Sequence, residues 1–302
     1  MQNQPAIRLE NLSKTFGRRG RQVQAVRGLN LEVQPRQVYG FLGPNGAGKS
    51  TTIGMMMDLI RPSAGEIYLY GQSVHREHAV LRRVGALVEG AAFYGYLTAR
   101  QNLAVLARTG GAYDPVRIQQ LLAQVGLADR ADRAVGGYST GMKQRLGLAA
   151  ALLHDPDLVI LDEPTNGLDP AGIQEMRGFI RQLADERGKT VFLSSHLLGE
   201  VEQVCDRVAI VRQGEIVREG AVGDLLAAQT QVVLDVSPLE RATAVLAPHW
   251  PVFPNGKSLT ITASREQTPE LVRSLVAQDV AVYGVQVERQ SLEQYFLEVT
   301  GS

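Results

Sequence analysis

Residues Gly43-Pro44-Asn45-Gly46-Ala47-Gly48-Lys49-Ser50-Thr51 separate an apolar run, Val38 to Leu42, from a Met-rich stretch of helical character. Strand, glycine-rich loop and helix in this order make a cradle for nucleotide phosphates. The glycines let the backbone curl so that successive N–H groups point at phosphate oxygens, and the helix behind them presents the positive end of its dipole. Lys49 neutralises β- and γ-phosphate charge, and the Ser50 hydroxyl is of the type that ligates magnesium. The stretch implies binding of ATP or GTP, with Gly43, Asn45, Gly46, Ala47, Gly48, Lys49, Ser50 and Thr51 as contacts.

A second apolar run, Val159 to Leu161, ends in Asp162, Glu163 and Pro164. It reads as a buried parallel strand that delivers two carboxylates at its C-terminal end, where α/β proteins place their ligands. Asp162 is expected to hold magnesium through water. Glu163, one residue further out, is expected to polarise the attacking water in an in-line phosphoryl transfer. Upstream of that strand, Tyr138-Ser139-Thr140-Gly141-Met142-Lys143-Gln144-Arg145 opens a helix predicted to run on to His154. Ser139 and Gly141 offer a hydroxyl and an uncluttered N–H at its positive end, either as a second anion site or as a plain helix cap.

Placed between the phosphate loop and the paired acids, this segment resembles the signature sequence of ATP-binding cassette (ABC) ATPases. The resemblance spans roughly residues 6 to 225, and further matches fall in the family's order. Phe16 stands where an aromatic stacks on adenine, Asn166-Gly167-Leu168-Asp169 matches the D-loop, and Ser194-Ser195-His196 carries the switch histidine. The resemblance implies an α/β fold: a phosphate-loop ATPase domain with a RecA-like core, an antiparallel β subdomain and a helical subdomain. It implies an ATPase using ATP and Mg2+, with Glu163 and His196 catalytic and Asp169 at the nucleotide. It also implies that two copies sandwich two ATPs, so that Ser139 and Gly141 reach the γ-phosphate held by the other copy.

Two departures from the family pattern stand out. Thr140 and Met142 replace a glycine and an amide in the signature, while Ser139 and Gly141 are kept. In Gly85-Ala86-Leu87-Val88-Glu89-Gly90, Glu89 occupies the position of a glutamine. A carboxylate there holds the hard cation more strongly than a neutral carbonyl, which makes Ser50, Glu89 and Asp162 the expected metal ligands. This variant resembles exporters that confer immunity to bacteriocins, lantibiotics and similar peptides.

Lys+Arg and Asp+Glu both number 31, so no overall basic field exists to attract nucleic acid. The cluster Arg18-Arg19 with Arg21 reads as a solvated hairpin turn. Cys205 is the single cysteine, which fits a reducing cytosol and rules out an internal disulfide. Residues 1 to 5 lack a secretory pattern, and no apolar stretch approaches the ~20 residues that cross a bilayer. Any membrane path is therefore expected on another chain, an ABC-2 type permease, with this subunit cytoplasmic and peripheral on the inner face of the membrane.

Ile7 to Leu12, Val33 to Val38 and Ile67 to Tyr70 suggest the small antiparallel sheet, and the middle, about 75 to 155, reads helical. The ATPase domain is expected over 1–228. Residues 229–302 read strand, helix, strand, helix, strand (Val232 to Val236, Leu239 to Leu246, Leu259 to Thr262, Pro269 to Val276, Val280 to Val287), a small α+β domain without a catalytic constellation. Its ending, Ser291-Leu292-Glu293-Gln294-Tyr295-Phe296-Leu297-Glu298, resembles export-type ATPase subunits that pair with ABC-2 permeases. The sequence thus implies the ATPase subunit of a bacterial exporter of antibiotics or antimicrobial peptides. The rival is an ABC ATPase that remodels nucleic acid or ribosomes; such proteins carry a second cassette or a long coiled coil, and neither is present here.

Overall fold

The structure, a computed structural model, describes residues 4–17, 22–88, 92–111, 113–227, 230–256 and 258–289. Contacts divide the chain into two compact units, Met1–Glu219 and Gly220–Ser302.

The first unit opens with β1 (Ile7–Phe16) and β2 (Val23–Val33), antiparallel from Ile7 opposite Val33 to Phe16 opposite Val23. With β4 (Ala64–Leu69) and β5 (Gln72–Ser73) they form a sheet in the order β2-β1-β4-β5. Ile7, Leu9 and Leu12 are buried, so one face of β1 turns inward. The Arg18-Arg19 and Arg21 cluster between β1 and β2 lies outside the described residues. Val33 to Val38 is not a strand: Val33 ends β2, Val38 begins β3 (Val38–Leu42), and a turn joins them. Pro35 lacks an N–H to donate to a ladder, and Arg36 has a φ of 63°, which no strand accommodates.

The second layer is a six-stranded sheet. Its members are β3, β6 (Val84–Leu87), β7 (Leu158–Asp162), β8 (Thr190–Ser195), β9 (Arg207–Arg212) and β10 (Glu215–Ala221), in the order β10-β9-β3-β8-β7-β6. β3 runs parallel to β8 and β9, and β7 runs parallel to β6 and β8. Every residue of β3, β7 and β8 is buried, which explains their apolar centres; the polar residues Asp162, Ser194 and Ser195 stand at the C-terminal ends. Tyr39 stacks on Phe192 at 5.9 Å between ring centroids, and Phe41 packs on the same ring at 5.5 Å. These rings fix three strand positions from one centre. Register places Leu42 beside Ser195 and Asp162 beside Ser194, so β3, β7 and β8 end together.

Among the described residues, three α-helices lie between β6 and β7: α2 (Ala99–Thr109), α3 (Pro115–Gln124) and α4 (Thr140–Ala151). A capping box of Thr98 and Gln101 starts α2, and Asp114 followed by Pro115 starts α3. The predicted helical character of 75 to 155 is broken by β6. There Gly85 is approached so closely that a Cβ would sit 2.0 Å from the Ala151 carbonyl oxygen. α4 stops at Ala151, three residues before His154. The remaining helices of this unit are α1 (Lys49–Met56), α5 (Pro170–Asp185) and α6 (Leu198–Glu202).

The second unit begins with the end of β10 and α7 (Val222–Ala227). Its sheet has the order β12-β13-β11-β14, from β11 (Thr230–Ser237), β12 (Val252–Asn255), β13 (Ser258–Thr262) and β14 (Ala281–Arg289). Helices α8 (Leu239–Leu246) and α9 (Thr268–Val276) pack their apolar sides, including Ala242, Leu246, Leu271 and Leu275, against Val232, Leu234, Leu259 and Ile261. β12 is not among the strands expected from sequence. Pro254 interrupts its pattern, yet an edge strand tolerates proline because one row of its backbone groups needs no partner. Ser291 to Glu298 lies outside the described residues.

Candidate active site

The phosphate loop leaves β3 at Gly43. A Cβ at that position would stand 2.3 Å from the Val211 carbonyl oxygen, so only glycine fits against β9. Gly48, the residue before α1, has a φ of 100° and approaches Ala25 so closely that a Cβ would lie 2.4 Å from its carbonyl oxygen. No side chain caps this helix start. Its first N–H groups are thus left for a ligand, and the helix dipole favours an anion there. Pro44, Asn45, Gly46 and Ser50 are exposed, and Ala47 is buried as the inner side of the loop.

Lys49 folds back under the loop and is 6% exposed. Its Nζ donates to the carbonyl oxygens of Gly43 (2.6 Å) and Pro44 (3.3 Å) and lies 3.1 Å from Glu163 Oε1. The other carboxylate oxygen of Glu163 is 2.7 Å from His196 Nδ1. Three residues singled out from distant stretches of sequence therefore meet at the common end of β3, β7 and β8. Asp162 is buried beside them, and its Oδ1 accepts from the Ser194 hydroxyl. That same hydroxyl oxygen accepts from the Glu163 N–H at 3.0 Å. Ser194, a polar residue at the end of an apolar strand, was singled out only as part of the histidine motif, yet it orders both acids.

Glu163 has a φ of 49°. A non-glycine residue in this left-handed region costs about 1–3 kcal/mol and persists where its surroundings fix it. Here the backbone turn re-aims Glu163 from the direction of the strand towards Lys49 and His196.

Ser139 caps α4, its hydroxyl accepting from the Met142 N–H at 3.2 Å. Tyr138 donates its hydroxyl to the Arg130 carbonyl oxygen at 2.6 Å, and burial raises its phenol pKa above the usual value, keeping it a donor. Gly141 faces Leu168, where a Cβ would be 3.4 Å from Leu168 Cδ2. Asp169 caps α5 by accepting from the Gly172 N–H at 3.0 Å. The signature helix start and the D-loop thus lie against each other. Phe16 ends β1, half exposed, with Lys14 Nζ 4.9 Å from its ring centroid. Glu89 lies outside the described residues.

The arrangement joins a phosphate cradle to a cation, a candidate base and an imidazole, a set suited to cleaving a phosphoanhydride. Among the described residues no helix is long and apolar enough to cross a membrane.

The ABC transporter family model matches residues 26–166. The uncharacterized ABC transporter ATP-binding protein YhcH of Bacillus subtilis is 41% identical, covering 98% of this chain and 96% of the relative. The bacitracin transport ATP-binding protein BcrA of Bacillus licheniformis is 38% identical over 98% of this chain and 97% of its own length. Among solved structures, the dimeric post-hydrolysis state of an ATP-binding cassette bound to ADP and Pi has a TM-score of 0.65 and 26% identity, covering 72% of this chain and 98% of that one. The chain belongs to the ABC transporter family, as one of its ATP-binding cassettes, which hydrolyse ATP to power transport.

Proposed function

We propose that this chain is the ATP-hydrolysing subunit of a bacterial ABC exporter whose cargo is an antibiotic, an antimicrobial peptide or a similar amphipathic compound. The observation that carries the chemistry is the placing of Glu163 between Lys49 and His196. The backbone N–H groups of the loop and Lys49 hold the β- and γ-phosphates. Glu163 takes the proton from the attacking water as its oxygen bonds to the γ-phosphorus, and ADP leaves. His196 orients the Glu163 carboxylate through Nδ1 and presents the opposite edge of its ring to the γ-phosphate.

The donor set fits magnesium. One hydroxyl, Ser50, and one buried carboxylate, Asp162, suit a cation that takes few protein ligands and completes its shell with water and phosphate oxygens. Bound there it would neutralise charge on the phosphates.

The helix start at Ser139 and Gly141 serves the ATP of a second copy. Asp169 lies next to it at the same dimer face. Phe16, exposed at the end of β1, supplies the adenine contact. The partner in the membrane is an ABC-2 type permease, which places this subunit at the cytoplasmic face. Support comes from a cavity of ≈ 690 Å³ in the first unit, lined by Leu87, Val88, Phe93 and Leu106 among others, and from the exposed rings of Tyr94 and Tyr96, which follow Phe93 in the chain. We read residues 1–228 as the ATPase domain, although contacts place the break between Glu219 and Gly220, and 229–302 as an accessory domain that supports docking or dimerisation. The bacitracin transporter relative supports the cargo class.

Glu163→Gln tests the reading, because it keeps size and hydrogen bonding while removing the base. Turnover should fall by about 100-fold or more, ATP should still bind, and an ATP-loaded dimer should accumulate in size-exclusion chromatography. Hydrolysis near the wild-type rate would remove Glu163 from the mechanism. A stable complex with ribosomes instead of a membrane protein would replace the exporter reading with the remodelling one.

A further inference from the structure

Glu163 is held in its strained conformation from both sides. On the N-terminal side its N–H donates to Ser194 Oγ. On the C-terminal side, the carbonyl oxygen of the next residue, Pro164, accepts a hydrogen bond of 3.1 Å from Gln144 Nε2. The Asn166 N–H closes the turn onto the Glu163 carbonyl oxygen at 3.1 Å. Pro164 is buried, so its carbonyl has few alternatives to Gln144. Gln144 stands one helical turn into α4, the helix capped by Ser139 and beginning with Thr140 and Gly141. Its neighbour Arg145 pairs with Glu175 on α5, tying the same helix to the element that follows the D-loop. Of these two neighbouring side chains, Gln144 joins the signature helix to the segment carrying the base, and Arg145 joins it to α5.

We propose that Gln144 is a positioning residue for hydrolysis: its amide fixes the Pro164 carbonyl and so aims the Glu163 carboxylate. This rests on the assignment of Glu163 as the base and of the α4 start to the second copy's ATP. Under that assignment, the helix that touches one ATP sets the geometry of the base serving the other. The link is a single hydrogen bond with a defined donor, so it is separable from the fold.

The test uses the full chain. Gln144→Ala removes the donor; Gln144→Glu keeps the size and sets an acceptor against an acceptor; Gln144→Lys restores a donor. Misplacement of a catalytic group by about 1 Å costs up to about 100-fold. The Ala and Glu variants should therefore lose about 10-fold or more in kcat with ATP affinity within twofold of wild type, and the Lys variant should recover most of the rate. In a Glu163→Gln background, Gln144→Ala should cause no further loss, since the amide acts through that carboxylate. Unchanged kcat in the Glu variant, or an equal fractional loss with and without Glu163, would overturn the proposal. Should Gln144→Ala fail to fold, the Glu and Lys pair still decides it. Near-wild-type turnover by Glu163→Gln alone would instead overturn the assignment of the base, so the two failures are distinguishable.

Discussion

Two helices of the first unit begin at residues expected to meet phosphate, and they begin differently. α1 starts at Gly48 with no side chain capping it, directly behind a buried strand and above a buried lysine. α4 starts at Ser139, whose hydroxyl already accepts from the Met142 N–H. On the proposed reading the first is an anion site built within one chain, because loop, cation and helix dipole converge on it. In the second, the Ser139 hydroxyl already takes one of the first N–H groups and leaves the others. A helix start of this second kind gains a phosphate only when another molecule brings one, which is what an ATP sandwich between two copies would do. On that reading, the same dipole physics yields a binding site or a docking face according to what the surrounding fold leaves unpaired.

Breaking the first site should have the larger effect. Lys49→Ala removes a charge-assisted phosphate contact worth about 1.5–3 kcal/mol, so ATP affinity should fall by about 10- to 100-fold in a fluorescent-nucleotide titration. An unchanged affinity would mean that the loop binds through backbone groups alone.

Ser139→Ala sharpens the contrast from the other side. The lost cap should cost about 1 kcal/mol of stability in a denaturant titration. ATP affinity of the single chain should stay at the wild-type value, while ATP-dependent dimerisation in the Glu163→Gln background weakens. Equal loss of monomer binding would place Ser139 at the same nucleotide as Lys49.

The smallest effect concerns the far end of α4. Asp155, just beyond the helix, pairs with Lys189 Nζ at 2.9 Å and with Arg117 at 3.3 Å. Hydrogen bonding from Lys189 is the main cause that holds its carboxyl below the usual carboxylate range. A depressed pKa contributes stability above the unfolded value and loses it as pH falls through the folded one. Because the carboxylate is largely exposed, screening limits the pair, and Asp155→Asn should cost under about 1 kcal/mol at neutral pH. The difference from wild type should vanish in acid. A difference that persists there would show that packing, and not charge, anchors this end of the helix.

Cys205 offers a control that touches neither helix start. Burial raises its thiol pKa well above the usual value, with Asp206 adding to the shift, so the native chain should react slowly with thiol reagents up to mildly alkaline pH and fast once unfolded.

The individual groups of the site were legible in sequence because each sits in a local pattern: glycines and lysine after an apolar run, two acids at the end of another, a histidine after a third. Their roles as a cluster were less so. Ser194 and Gln144 carry no signal of their own; one is a hydroxyl at a strand end, the other an amide on a helix, and only parallel register and helix placement bring them to Glu163. The turn at 34–37 was missed because Val33 and Val38 both belong to strands, and alternation cannot show that the chain reverses between them.

By itself the sequence determined that strands β3, β7 and β8 would be buried on both faces, because runs such as Val38 to Leu42 leave no polar side for water. It also determined the phosphate loop, since its glycines and Lys49 are constraints on adjacent residues. Only the tertiary structure decided that Lys49, Glu163 and His196 share one carboxylate, that Glu163 turns into the left-handed region to reach them, and that α4 begins capped while α1 begins open. The cluster joins residues far apart in sequence, Lys49 to Glu163 across 114 positions and Glu163 to His196 across 33. Such relations are fixed by strand order and register, which depend on the packing of the whole sheet and not on any one segment.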